Sequence, residues 1–458
     1  MTQNAIATEL IDRYDIAGPR YTSYPTAPNF SDDFPQVDLL NAMARSARLQ
    51  RPLSLYFHLP FCESLCYYCG CNKVVTHNRS RVIAYLNRLE QEMADYRALS
   101  SGRRKVKQLH WGGGTPTYLN VDEMRLLMQM TRRHFHLTDD DSGDYAIEIH
   151  PGQTNVTVIP VLRELGFNRI SMGVQDFDAK VQEAVNRRNS IEEVTALCDA
   201  VRENNFRSLN MDLIYGLPLQ TAESFARTLQ VLMTLRPDRI SLFNYAHMPD
   251  KFKGQRLIKV AELPAPQQKM DIFSQAIATL TQAGYVHIGM DHFALPNDDL
   301  AVAQREGHLH RNFQGYSTYS DCDLLGFGVS SISAVGNVYW QNSRCINDYQ
   351  NKLDEGRLPV EKGYRLSADD EIRRWVINQL ICHYQLRFAD IEDRFSVDPL
   401  TYFADQLEEL EELSGDGLVV VNHRGIHITE VGKLLVRRIC MVFDAYLPRQ
   451  SVQYSKVI

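Results

Sequence analysis

The sequence predicts an α/β protein: a partly open parallel (βα) barrel with an N-terminal extension and a mostly helical, winged-helix-like C-terminal domain. Three observations carry that expectation. Short apolar, β-rich runs alternate with longer amphipathic helical runs from LSLYFHL (53–59) to VHIGMDHFA (286–294); polar and glycine-rich features fall at or just after the ends of the apolar runs; and from about Leu366 the texture turns helical. Apolar strands separated by helices imply right-handed βαβ crossovers and a parallel sheet covered by helices. In that architecture chemistry belongs at the C-terminal ends of the strands.

The elements follow in order. Residues 1–50 contain GPRYTSYPTAPNFSDDF, rich in turn formers and aromatics, and are expected to form an extension closing over the site. Residues 51–365 are expected to form the barrel. Its strands are read at LSLYFHL, VKQLHWG, YAIEIHP, NRISMGVQ, SLNMDLIYG, RISLFNYA and VHIGMDHFA, with helical runs such as RVIAYLNRLEQEMADYRAL and AESFARTLQVLMTL between them. Residues 366–458 are expected to form the last domain. Helical runs (DEIRRWVINQLICHYQL, ADIEDRF, LTYFADQLEELEEL) lead there to two β-rich runs flanking His423-Arg424-Gly425, then to a final helix, KLLVRRICMVFDAYL. A winged helix suggests DNA, but DQLEELEEL is acidic and the hairpin tip holds one arginine, so packing against the barrel is the expectation.

Composition excludes several function classes. The chain has 458 residues, 44% hydrophobic and 23% charged, ordinary for a soluble globular protein of two or three domains. No apolar run approaches the roughly 18–20 residues of a membrane-spanning helix, and the opening MTQNAIATELIDRYD lacks the basic-then-apolar layout of a signal peptide. A cytoplasmic protein without a membrane partner is expected. The net charge of −7 argues against general nucleic-acid binding. No coiled coil or repeat asks for assembly, so a monomer is expected.

The chemistry concentrates in LPFCESLCYYCGCN (59–72), which gathers four of the nine cysteines behind the first predicted strand. In a reducing compartment, clustered thiols hold a metal or perform chemistry more often than they form disulfides. Cys62, Cys66 and Cys69 fit CxxxCxxC. A 4Fe–4S cluster takes soft thiolates, and three from one short loop leave a fourth iron open to a ligand. Two alternatives stay open on spacing alone. Cys66, Cys69 and another thiol could hold structural zinc, although no second CxxC follows downstream; Cys71 could complete the cluster, although one residue between it and Cys69 is an awkward spacing.

CESLCYYC after a first strand resembles the signature of the radical S-adenosylmethionine superfamily, and HWGGGTPTYL resembles its glycine-rich methionine-binding motif. With Cys71, PRYTSYPTA, GMDHFA and NFQGY added, the chain resembles the oxygen-independent coproporphyrinogen III oxidase family along essentially its whole length. The resemblance implies a barrel of the radical SAM type with one 4Fe–4S cluster held by Cys62, Cys66 and Cys69, and two S-adenosylmethionine molecules in the site. It implies a 5′-deoxyadenosyl radical that takes hydrogen from the β-carbon of substrate propionates. Two propionates of coproporphyrinogen III become vinyl groups, giving protoporphyrinogen IX, with an electron donor such as a flavodoxin or ferredoxin.

The resemblance also assigns residues. Gly113, Gly114 and Thr115, following Gly112, would bind the methionine moiety through a backbone that glycine lets approach closely. Glu148 would hold the cofactor's amino group, and Gln175, Arg187 and Asp212 would surround the rest of it. Tyr56, Ala246 and Ile332 would lie beside it, and Tyr68, at a position expected to be Phe in close relatives, would stack. Tyr56 and His58 share one face of the first strand; His58 is either a catalytic part or a core histidine bonded to a carbonyl. Cys71 would be a second-site or substrate-facing thiol, against the alternative of a buried, inert cysteine. For a substrate with four carboxylates, Arg20, Arg311 and Gln314 are the candidate contacts. Tyr21 and Tyr24 would either close over the pocket or pack as a strap.

Two rival functions remain. A haem-trafficking relative shares the barrel but carries HNxxYW where this chain reads HRNFQGY. A zinc-stabilised barrel acting as an assembly protein would contain zinc in place of iron and sulfide.

Overall fold

The structure, a computed structural model, describes residues 10, 13, 14, 16–100, 104–447 and 454. The chain divides into two compact units, one made of Phe30–Ile272 with Asp321–Arg365, the other of Met1–Asn29, Phe273–Ser320 and Leu366–Ile458. This differs from a linear division of the chain at residues 50 and 365: the segment Phe273–Ser320 belongs with the C-terminal residues. Of the 1–50 extension, residues 1–9, 11, 12 and 15 lie outside the described residues. No helix among the described residues is long and apolar enough to cross a membrane.

The first unit opens with α1 (Gln36–Arg48) and then alternates strand and helix: β1 (Leu53–Leu59), α2 (Ser80–Ala98), β2 (Lys105–Gly113), α3 (Val121–His134), β3 (Asp144–Ile149), α4 (Val158–Glu164) and β4 (Arg169–Gln175). It continues through α5 (Ala179–Ala184), α6 (Ile191–Glu203), β5 (Ser208–Tyr215), α7 (Ala222–Leu235) and β6 (Arg239–Asn244), and after Asp321 adds β7 (Asp323–Phe327), β8 (Ile332–Val335), β9 (Val338–Asn342), α8 (Ile346–Asp354) and β10 (Val360–Arg365). The strand order is β6-β5-β4-β3-β2-β1-β7-β8-β9-β10. β1 to β7 run parallel, β8 to β10 antiparallel, and β6 and β10 do not pair with each other, so the barrel is open.

Local chemistry explains these elements. α2 buries Val82, Tyr85, Leu86, Leu89, Glu92, Met93 and Tyr96, a three-and-four spacing that lines one face. α3 starts where Asn120 accepts from the Glu123 amide and Glu123 accepts from the Asn120 amide, both at 2.9 Å. Ser190 and Glu193 repeat that reciprocal cap for α6. Between sheet and helices, Phe57 stacks on Phe327 at 5.0 Å and Trp111 meets Phe167 edge-on at 4.9 Å. Each such buried ring contributes about 1.5–3 kcal/mol.

In the second unit, VHIGMDHFA is not one strand but a hairpin, Val286–Gly289 paired with His292–Ala294. Gly289 and Met290 adopt positive φ (155° and 47°), which turns the chain. The last domain contains helices Ala368–His383, Phe388–Phe395 and Ala404–Gly415 and a three-stranded antiparallel sheet, Gln385–Arg387, Gly425–Ile428 and Val419–Asn422. The expected final helix breaks at Leu435 into Glu430–Leu434 and Val436–Met441. Tyr21 and Tyr24 pack in this unit's core as a strap: the Tyr21 hydroxyl donates to Asp444 and the Tyr24 hydroxyl accepts from the Ala445 amide, both at 3.0 Å.

Candidate active site

β1 delivers the cysteine loop. Phe61–Cys62 forms a short parallel pair with Val74–Val75, so the loop leaves and returns at one place. Val74 donates to the Pro60 carbonyl at 2.7 Å, and the loop's middle is tied by Asn186 to Leu65 O (2.8 Å), Gln255 to Tyr68 O (2.9 Å) and Lys73 to Cys69 O (2.9 Å). Cys62 and Cys66 are buried, Cys69 is half-buried and Cys71 is exposed. Thr115 Oγ1 donates to Cys62 Sγ at 3.7 Å, and Arg187 Nη1 donates to Cys66 Sγ at 3.5 Å. Hydrogen bonding between the Cys69 and Cys71 thiols lowers the pKa of the first and raises that of the second.

No three His, Cys, Asp or Glu side chains among the described residues converge on a single-ion centre. A loop of soft thiols backed by N–H and O–H donors fits the thiolate ligation of an iron–sulfur cluster.

The register of the parallel strands assembles the rest. Tyr56 of β1 stands beside His110 of β2, Glu148 of β3 beside Ser171 of β4, and Gly173 of β4 beside Asp212 of β5. The His110 ring stacks on Tyr56 at 5.8 Å, and its Nε2 lies 2.9 Å from Glu148 Oε1. Glu148 Oε2 accepts the Gly113 amide at 3.2 Å. Burial alone would raise the Glu148 pKa, but His110 and this amide leave it lowered, so the carboxylate is ionised at neutral pH. A Cβ at Gly112 would stand 2.6 Å from Glu148 Oε1 and would push that carboxylate aside. Gly113 has φ 109°, closed to other residues without strain.

Asp212 accepts from Asn210 Nδ2 at 2.7 Å and Ser171 Oγ at 3.1 Å, and burial followed by the charge of Glu148 pushes its carboxyl up to about 6. Gln175, at φ 71°, keeps a buried Oε1 with no hydrogen-bond partner, and so does the Oδ1 of Asn244 at the end of β6. Arg187 is buried with Nε on the Gly173 carbonyl at 3.0 Å. His58 is buried; its Nε2 faces the Asn72 carbonyl at 2.8 Å and is therefore the protonated nitrogen, leaving Nδ1 to accept from the Tyr56 hydroxyl at 3.1 Å. Burial lowers the His58 pKa, keeping it neutral.

Tyr68 packs with Val185, Ile214 and Leu217, the Ala246 carbonyl accepts from Gln255 at 3.2 Å, and Ile332 opens β8. The structure thus brings Tyr56, His58, the cysteine loop, Gly113 to Thr115, Glu148, Gln175, Arg187 and Asp212 to the C-terminal ends of successive strands. Sequence reasoning missed His110, Asn210 and Asn244. For His110 and Asn210 the signal was two-residue alternation, since they share a face with Glu148 and Asp212 on the same or a neighbouring strand; Asn244, level with Tyr215 at the end of β6, falls outside that alternation. In the second unit, Arg20 pairs with Asp291 at 2.9 Å, and buried Arg311 stacks on Tyr316 with no hydrogen-bond partner for Nε or Nη1.

Comparison with known proteins agrees with this arrangement. The model of the Radical SAM superfamily matches residues 56–232, and that of the HemN C-terminal domain matches residues 366–435. The chain is 52% identical over 451 residues to an oxygen-independent coproporphyrinogen III oxidase of Pseudomonas aeruginosa, covering 98% of each chain, and equally identical over the same length to that of Escherichia coli K12. A solved structure of coproporphyrinogen III oxidase (HemN) from Escherichia coli, a radical SAM enzyme, superposes with a TM-score of 0.91 at 50% identity, covering 96% of this chain and 99% of that one. Membership of that superfamily implies a 4Fe–4S cluster and S-adenosylmethionine as the cofactors. With the thiol loop, the glycine turn and the inward carboxylates on successive strands, and with such similarity from end to end, the chain belongs to the oxygen-independent coproporphyrinogen III oxidase family.

Proposed function

We propose that this chain catalyses the oxygen-independent oxidative decarboxylation of two propionates of coproporphyrinogen III to vinyl groups, yielding protoporphyrinogen IX in porphyrin biosynthesis. The observation that carries this reading is similarity to named oxidases over 98% of both chains rather than over the barrel alone. Each propionate loses one hydrogen atom, one carbon dioxide and one electron. When bound, a reduced 4Fe–4S cluster and S-adenosylmethionine supply a carbon-centred radical able to take that hydrogen atom.

The chain's residues bind and orient. Cys62, Cys66 and Cys69 hold the cluster, with Thr115 and Arg187 donating to two of the sulfurs. Ionised Glu148, steadied by His110 and Gly113, accepts the cofactor's ammonium. Asp212 accepts ribose hydroxyls, and the unpartnered oxygens of Gln175 and Asn244 take further donors. Gly113 and Gly114 let the backbone approach the methionine moiety, and Tyr56, Tyr68, Ala246 and Ile332 shape the remaining wall. Neutral His58 orients the Tyr56 hydroxyl.

Two adenosylmethionine molecules belong to the proposal, with Cys71, exposed and outside the CxxxCxxC spacing, assigned to the second molecule or to the substrate. So do a one-electron donor such as flavodoxin or ferredoxin, and a monomeric chain. The test is anaerobic reconstitution with iron and sulfide, then incubation with reductant, S-adenosylmethionine and coproporphyrinogen III. Protoporphyrin after oxidation is the expected product. Haem uptake without tricarboxylic or dicarboxylic products, or a colourless zinc protein, would overturn the reading.

A further inference from the structure

α2 turns two polar side chains, Tyr85 and Glu92, into the interior, and both are fully buried. Two helical turns apart, they lie on one face and meet the same target, the turn between β7 and β8. Glu92 Oε2 accepts from the Gly328 amide at 2.8 Å and the Tyr349 hydroxyl at 2.7 Å, while Oε1 accepts from Asn342 Nδ2 at 2.6 Å. Asn342 also donates to the Gly328 carbonyl (2.9 Å) and Ser331 Oγ (3.0 Å). Tyr85 bridges outward from this knot: its hydroxyl accepts from the Val329 amide at 2.9 Å and donates to the His58 carbonyl at 2.8 Å.

The turn itself leaves no slack. Gly328 has φ 96°, and a Cβ there would run into the Tyr85 hydroxyl and the His58 carbonyl; Ser330 follows at φ 60°. Its buried amides need acceptors, and α2 supplies one to each of Gly328 and Val329. Among the described residues Glu92 makes no ion pair. The titratable groups around it are Tyr85, Tyr96, Tyr349 and Asp95, and burial pushes its carboxyl up to about 8 despite the three donors. Stability alone gives little reason for a buried acid without a cation, because an apolar side chain of similar volume is often as good or better. What the acid adds is a fixed acceptor for the turn.

We propose that Tyr85 and Glu92 are positioning residues: together they hold the turn Gly328–Ser331, and through it they set where Ile332 and the His58 end of β1 stand in the site. The inference rests on the reading above in placing Ile332, Tyr56 and His58 beside S-adenosylmethionine.

The experiment compares reconstituted wild type with Glu92→Gln, Glu92→Leu and Tyr85→Phe. It measures KM for S-adenosylmethionine, kcat for 5′-deoxyadenosine, vinyl product per 5′-deoxyadenosine, and hydrogen exchange at the Gly328 and Val329 amides. Glu92→Leu and Tyr85→Phe should raise KM about tenfold, uncouple 5′-deoxyadenosine from vinyl product and speed exchange at both amides. Glu92→Gln, which keeps an oxygen acceptor, should recover most of the coupling. Variants that lose thermal stability yet keep wild-type KM, coupling and exchange would overturn the proposal. Should Glu92→Leu not fold, Glu92→Gln and Tyr85→Phe decide it by the same readouts. Product formation by the wild type reports on the enzymatic reading alone, and exchange at the two amides reports on positioning alone.

Discussion

At the N-terminal ends of the parallel strands, Asp144 stands 2.5 Å from Arg169, and Asp323 lies 3.2 Å from Arg51 and 3.5 Å from Arg104. At the C-terminal ends of the same strands, Glu148 and Asp212 face the interior as two acids, and the charge of one raises the pKa of the other. Gln175 and Asn244 keep buried oxygens without partners there. One end is neutralised from within the chain. The other carries an excess of acceptors and negative charge that a cationic, donor-rich ligand would compensate. The contrast separates residues kept for the fold from residues kept for binding.

Substitutions can break or sharpen that contrast. Cys66→Ala should abolish iron binding and turnover while leaving the far-UV circular dichroism unchanged, as iron analysis and spectra of the purified protein will show. Asp323→Ala should do the reverse. Removing one partner of a buried ion pair costs about 3–5 kcal/mol, visible as a lower denaturation midpoint, with little change in KM for the surviving folded fraction. Glu148→Gln should weaken S-adenosylmethionine binding by about 1.5–3 kcal/mol, the usual worth of a hydrogen bond to a charged group. That is roughly ten- to a hundredfold in the dissociation constant.

The smallest effect carries the opposite sign. Burial and Glu148 raise the Asp212 carboxyl from 3.8 to about 6, so its contribution to stability is fully present below about pH 4 and is lost as pH rises through about 6. Asp212→Asn should therefore match wild type at pH 4 and exceed it by about 1–3 kcal/mol above pH 6, measured by urea denaturation across that range. The same variant should bind the cofactor less well. A stability gain confined to the C-terminal ends of the strands, bought with lost binding, is what the contrast predicts.

Strands β1 to β6 were legible to within about two residues, because burial on both faces of a parallel sheet writes near-continuous apolar runs. β7 to β10 were not. Runs such as ISAV and VEKGYR are short, and their antiparallel pairing depends on turns at Gly328 and Gly336 rather than on a helical spacer. The strand Gln385–Arg387 escaped for a similar reason, since three residues abutting a helix carry no period of their own. In the site, the thiol spacing and glycine triplet announce themselves locally. His110 and Asn210 do not, because a polar residue on a strand reads alike whether it faces solvent or a neighbour's carboxylate. Glu92 was hidden further still, as one acid in a helix that also carries Glu90 and Asp95.

The stitched base of the cysteine loop has a last consequence. With both ends paired at Phe61–Cys62 and Val74–Val75 and the middle tied from two other segments, the conformational freedom of the loop is surrendered when the polypeptide folds, not when metal arrives. An oxygen-bleached protein would thus retain an intact mould, and recovering it is a matter of recharging with iron and sulfide instead of renaturation.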